Sequence, residues 1–231
     1  LAADWLGEPP CPHAGYLELL EELPAVIRTA GSLSDRAMEI VRAHTLRTIE
    51  GMSSFVARER GGVLQLDSLE DLKAYCYAVA GIVGEMLTEL FLLDRPALHP
   101  LAATLRQDAP KFGEALQLVN ILKDSASDTT EGRRYLPRNV DRDEVFALAR
   151  ADLETAGRYT ARLEKAGAQR GVVGFNALPM MLAWATLAQV QEKGPGSKLS
   201  RVEVVKIVTR LEKALDRQMV TELWTEMRST T

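Results

Sequence analysis

Residues Gly171 to Val190 (GVVGFNALPMMLAWATLAQV) run for 20 residues without a charged side chain. Nothing else in the chain narrows its fold as much. A helix of that kind must shed water around its whole circumference, either in a bilayer or at the centre of a large helical domain. Asn176, Pro179 and Gln189 interrupt the run, and Gly171 and Gly174 stand near its start. Spanning helices are usually more uniformly apolar, so the buried-helix reading is preferred and the bilayer reading is kept beside it.

The rest of the chain supplies helices to surround it. Ser34 or Asp35 caps a helix to about Arg58, and Ser68 with Asp71 opens one to about Leu93. Lys111 to about Asp128 is a third, and Asp141 or Asp143 starts a fourth that ends near Gly167. Ser200 caps a last one toward Met227, and Leu17 to Ala30 reads as a helix interrupted at Pro24. No segment alternates with period two and no hairpin turn is evident. The expected fold is all-α, a single helical domain over residues 1–231.

Composition excludes several functions. The chain has 28 Lys and Arg against 32 Asp and Glu, a net charge of -4, so no nucleic-acid partner is expected. Cys11 and Cys76 are too few for a disulfide scaffold and fit a reducing, cytoplasmic compartment. His13, His44 and His99 lack zinc-ligand spacing. Neither a phosphate loop nor a dinucleotide fingerprint is present. The chain opens on Leu1 rather than Met, as expected of a processed form or a piece of something longer, and nothing reads as a signal peptide.

Two segments carry chemistry. In QLVNILKDSASDTTEGRRYLP, residues 117 to 137, a helix places Gln117, Asn120, Asp124 and Asp128 within about 80° of one another. Two carboxylates one turn apart can share a hard cation such as Mg²⁺, which recruits phosphate oxygens. Arg133, Arg134 and Arg138 follow, and guanidinium groups suit phosphate. Acids for Mg²⁺ beside arginines for phosphate suggest a diphosphate site; a solvated helix end laced with ion pairs reads equally well. In YCYAVAGIVGEMLTELF, residues 75 to 91, Tyr75, Val79, Ile82 and Met86 share a stripe, and Ala78, Ala80, Gly81 and Gly84 remove bulk. Each such glycine costs about 1 kcal/mol against alanine. The space serves either a close helix contact or a long apolar ligand with Tyr75 at its polar end.

These segments together resemble the squalene/phytoene synthase family of head-to-head prenyl transferases. Tyr75-Cys76-Tyr77 with Val79 to Gly84 is similar to its tyrosine- and glycine-bearing helix. Gln117, Asn120-Ile121-Leu122-Lys123-Asp124 and Asp128, then Gly132-Arg133 and Tyr135-Leu136-Pro137, are similar to its second aspartate-rich motif. Phe175, Ala177 and Pro179, followed by Ala183 and Ala185-Thr186-Leu187, look more like the squalene synthase branch. The resemblance implies an isoprenoid synthase fold with a central cavity. It implies two farnesyl diphosphates bound through Mg²⁺ and joined through the cyclopropyl intermediate presqualene diphosphate, then reduced by NADPH to squalene. Phytoene- or dehydrosqualene-type members omit the reduction. By the same resemblance Asp124 and Asp128 hold Mg²⁺, with Gln117 and Asn120 orienting that site. Arg133 binds diphosphate together with Lys123, which stands where the family more usually has Arg. Tyr75 handles a proton or stabilises a cation. Val79, Gly81, Val83 and Leu87 line the prenyl channel, with Phe175 and Pro179 across it. A hydrocarbon product implies peripheral membrane contact.

The chain departs from the family at its start. Asp4 and Glu8 have the spacing of the first aspartate-rich motif and are the remaining candidate metal ligands, but Gly7, Pro9 and Pro10 crowd them. The helix that precedes this motif in the family, with its substrate-binding arginine, is expected to be missing. That departure keeps a third reading open, a member without catalysis that serves as an assembly or scaffold protein.

Overall fold

Capping residues and glycines set the helix ends. The computed structural model describes residues 5, 7, 8, 13–130 and 132–230. They fall into two compact units, residues 1–42 and 43–231. In the first, α1 (Ala14–Ala30) begins where the His13 ring accepts the Gly15 N–H, and it runs unbroken through Pro24. This corrects the expected interruption. Proline removes one helical hydrogen bond, and on a helix with no buried residue water can satisfy the freed carbonyl. Next comes α2 (Asp35–Val56).

The second unit begins within α2 and continues through β1 (Leu64–Gln65), α3 (Leu69–Cys76), a π-helical turn (Tyr77–Gly81) and α4 (Ile82–Asp94). A 3₁₀ turn (Pro96–Leu101) leads into α5 (Ala102–Thr130), followed by β2 (Arg133–Arg134), α6 (Arg142–Lys165) and α7 (Arg170–Lys193). The chain closes with α8 (Arg201–Arg217) and α9 (Val220–Thr230). Ser68, Asp141 and Ser200 cap α3, α6 and α8 through their side chains, and Ser200 with Glu203 forms a full capping box. The architecture is all-α, as expected.

Three elements differ from the sequence reading. Helix α5 starts at Ala102 rather than Lys111 and carries Pro110 inside it. The last helix is two: Gln218 turns left-handed at φ 55°, and the Glu164 carboxylate accepts from the Val220 and Thr221 N–H groups at 2.7 and 2.9 Å. An acid from α6 thus caps α9 across space. Finally, a short parallel ladder pairs Leu64 with Arg133 and Gln65 with Arg134. Its bend depends on Gly132 at φ 78°, where a Cβ would press on the Gly62 carbonyl oxygen at 2.7 Å. Strands of two residues show no alternation to read.

The core gathers around α5, which packs on α4, α6, α7 and the π turn. Leu105, Leu118 and Leu122 of α5 share it with Leu153 and Leu163 of α6 and Met180 and Met181 of α7, all fully buried. The uncharged run is α7, with Asn176, Ala177, Trp184 and Leu187 also buried. By length and composition α7 and the stretch Leu69–Asp94 could each cross a membrane; 44% and 33% of their most apolar windows lie buried inside the protein.

Candidate functional site

The glycines of α4 and α5 bring two helices unusually close. A Cβ on Gly84 would overlap the Ala109 carbonyl oxygen, and one on Gly113 would overlap that of Ala80. Close contact is therefore what these glycines serve directly. Beside the contact the helices enclose a cavity of about 280 Å³. Val79, Val83 and Leu87 form one wall, with Leu116, Gln117 and Asn120 on α5 and Phe175, Asn176 and Pro179 on α7. Seven residues singled out from sequence thus meet at one cavity: Val79, Val83, Leu87, Gln117, Asn120, Phe175 and Pro179. The lining is mostly apolar, with its amide groups on α5 and α7.

Gly81 is placed elsewhere. A Cβ there would meet the Tyr77 ring at 2.7 Å and Glu114 Oε1 at 3.3 Å, so it faces packed side chains rather than the cavity. Gly81 is two residues from both Val79 and Val83, so the helix turns it roughly 160–200° away from the wall those two form; it closes the π turn Tyr77–Gly81. Arg47 holds this turn in place. It donates to the Tyr77 hydroxyl at 2.5 Å and pairs with Glu85 at 2.7 Å, while Tyr77 donates to Glu85 at 3.0 Å.

Tyr75 sits outside the cavity lining, 8% exposed. Its ring stacks on Tyr135 with centroids 4.7 Å apart and meets Phe55 edge-on. Burial pushes its phenol well above the ordinary value, helped by the Tyr135 hydroxyl, so it stays protonated. This stacked pair physically joins the two sequence motifs. Tyr135 belongs to the second motif, but its contact with Tyr75 is not legible from sequence, because contact between residues 60 apart leaves no periodic trace.

Beyond Asn120 the polar stripe continues one and two turns along α5. Lys123 donates to Asn120 Oδ1 at 3.4 Å and pairs with Asp124 at 3.3 Å. Arg133 lies 3.7 Å from Asp128. The side chains of Asp124 and Asp128 are 40% and 17% exposed, so both acids are reachable from solvent. The ion-pair reading and the cation reading of this stripe are compatible, since a carboxylate beside one cation can also ligate a metal ion. Two hard carboxylates one turn apart fit Mg²⁺, which is commonly held by one or two carboxylates and completed by water and phosphate. Among the described residues no group of three or more His, Cys, Asp or Glu is close enough to form a protein-only metal cage. Asp4 lies outside the described residues, and Glu8 is exposed in the first unit.

Sequence reading also missed Phe112 and Tyr159. Both line the cavity, their rings edge-to-face at 5.6 Å, and the Tyr159 hydroxyl shares a 2.8 Å hydrogen bond with Thr88. Burial pushes the Tyr159 phenol up to about 12. Neither residue belongs to a polar stripe or a glycine-rich segment, which were the signals followed.

Nearer the start of α5, Lys111 Nζ lies 2.5 Å from Glu114 and 3.9 Å from Asp152 of α6. Both acids are 5% exposed, and Asp152 Oδ2 has no hydrogen-bond partner among the described residues. Burial pushes the Asp152 carboxyl up to about 6; Lys111 works against this and the Glu114 charge works with it. Cys76 packs nearby, fully buried, its thiol raised by the same burial.

Comparison with known proteins agrees with this geometry. Residues 12–143 match the squalene/phytoene synthase family model. A squalene synthase of Candida albicans is 26% identical over 193 residues, which cover 74% of this chain and 43% of that protein. A squalene synthase of Gibberella zeae is 32% identical over 123 residues, 53% of this chain and 26% of that protein. The chain thus spans less than half the length of these curated relatives. A solved TcSQS structure with a bound ligand superposes with a TM-score of 0.73 at 24% identity, covering 88% of this chain and 67% of that one, and shares its fold. The family match, the shared fold and the meeting of both motifs on α5 lead to one conclusion: the chain belongs to the squalene/phytoene synthase family.

Proposed function

We propose that the chain condenses two farnesyl diphosphates head-to-head, through presqualene diphosphate, to squalene. The observation that carries this reading is continuity: the apolar cavity ends at Gln117 and Asn120, and the same helix then presents Asp124 and Asp128. An apolar chain with a diphosphate head has that profile. Val79, Val83, Leu87, Phe175 and Pro179 hold the isoprenoid chain and exclude water from it. Asp124 and Asp128 hold Mg²⁺, which supplies charge neutralisation of the leaving diphosphate when bound. Lys123 and Arg133 reach the same phosphates as cations, and Gln117 and Asn120 orient the acids. Tyr75, a neutral phenol stacked on Tyr135 outside the apolar cavity and within electrostatic reach of Asp128, acts as a proton donor at the diphosphate end rather than as a resting base. NADPH supplies the final hydride. The protein works in the cytoplasm, with peripheral membrane contact for its hydrocarbon product.

The test is incubation of purified protein with labelled farnesyl diphosphate and Mg²⁺, with and without NADPH, and mass spectrometry of the organic extract. Squalene that requires NADPH supports the reading. A hydrocarbon formed equally without NADPH moves the protein to the phytoene or dehydrosqualene type. No substrate consumption by a folded protein rejects catalysis on this substrate and favours the scaffold reading.

A further inference from the structure

The arginines that follow α5 divide between two faces. Successive side chains in an extended strand point to opposite sides, and the ladder with β1 holds Arg133 and Arg134 in that arrangement. Arg133 lies by Asp128. Arg134 instead lines a second hollow of about 420 Å³, together with Arg138 and Arg142. Ile121, Leu136 and Pro195 give this hollow apolar walls. Its α5 residues, centred on Ser125, lie roughly 150° around the helix from those of the apolar cavity, with Asp124 and Asp128 in between. Asp128 is the single carboxylate among the described residues that line it; Asp124, Lys123 and Arg133 do not.

Three guanidinium groups around one hollow are out of keeping with a chain of net charge -4. Arg142 is doubly out of place. It occupies the first turn of α6, where the helix dipole disfavours a cation. Its orientation is nonetheless set, by a 3.1 Å hydrogen bond to the Leu122 carbonyl and by packing over the Phe146 ring at 5.6 Å. Those contacts use only part of its five N–H donors. Arg138 is exposed at the rim and available to an incoming anion. Convergent forks of this kind match phosphate oxygens.

We propose that Arg134, Arg138 and Arg142 form a second phosphate site, beyond Asp128 on the side away from Asp124 and the apolar cavity, that takes the diphosphate or phosphomonoester group of a small molecule. Its source is either free diphosphate or a nucleotide. This site stands independently of the prenyl-transfer reading, because it is read by binding alone.

Isothermal titration in EDTA, which silences any metal-dependent binding at the acids, tests it with two probes: inorganic diphosphate and adenosine 2′,5′-bisphosphate. The expected result is saturable one-site binding of at least one probe, with the tighter probe naming the source. Arg138→Ala should weaken it about tenfold, Arg138→Lys should weaken it less, and Arg133→Ala should leave it within about twofold. Arg138 is exposed, so circular dichroism should show these variants folded. The proposal is overturned if neither probe binds the folded wild-type protein, if Arg138→Ala binds as wild type, or if Arg133→Ala loses binding equally.

Discussion

Helix α5 carries acids at two points along its length, and the two sets live in different environments. Glu114, with Asp152 of α6 beside it, is buried around a single lysine. Asp124 and Asp128 lie about three and four turns further on, partly exposed, with 40% and 17% of their side chains reached by solvent, each beside its own cation. Charge that is buried must be neutralised within the protein, by Lys111 or by a proton on Asp152. Charge that is open can be neutralised by something that arrives. Similar residue types on one helix are thus sealed in at one end and accessible to a ligand at the other, and burial makes the difference.

The largest expected effect falls on the open pair. Asp124→Ala should lower prenyl diphosphate turnover about a hundredfold or more, while its midpoint of urea unfolding stays close to wild type, as for other exposed sites. A large loss of stability instead would erase the distinction between the two sets. Lys111→Met should do the reverse. It leaves Glu114 and Asp152 buried without their cation and should cost about 3 kcal/mol in urea unfolding, with little change in turnover per folded molecule.

The buried set also predicts a pH dependence. The Asp152 carboxyl is raised to about 6 in the folded protein, above its ordinary value near 3.8. The folded state therefore binds a proton more tightly than the unfolded chain does. Its stabilising contribution is complete below about pH 4 and is lost as pH rises through about 6. Melting temperature measured from pH 4 to 8 should show this decline, and Asp152→Asn should flatten it, becoming more stable than wild type at pH 8. A variant that tracks wild type across the range would show that Asp152 ionises without cost. The smallest effect concerns Tyr159→Phe, which removes one buried hydrogen bond to Thr88 and should cost about 1 kcal/mol by urea unfolding.

Much of this was legible in the sequence because helical periodicity survives translation into space. The Gln117, Asn120, Asp124 and Asp128 stripe could be drawn at 100° per residue, and α5 is regular there. Gly81 enters the channel lining only through the resemblance, and the same arithmetic turns it about 200° away from Val79 and Val83, where the structure has it. Helix α5 begins at Ala102 rather than at the expected Lys111 and runs through Pro110, since a long buried helix can lose one hydrogen bond and continue. The arginines after α5 were read as one group, whereas a two-residue strand sends Arg133 and Arg134 to different places. The Tyr75 and Tyr135 stack and the Lys111, Glu114 and Asp152 cluster are tertiary, and no single segment contains them.

The central claim is that the open acids, and not the buried ones, meet the substrate head group. The most direct measurement is the shift in melting temperature caused by Mg²⁺ with a non-hydrolysable farnesyl diphosphate analogue, at pH 8, in wild type, Asp152→Asn and Asp124→Ala. The account predicts a rise of several degrees in the first two proteins and none in Asp124→Ala. A rise that persists in Asp124→Ala, or its absence from wild type, would contradict it.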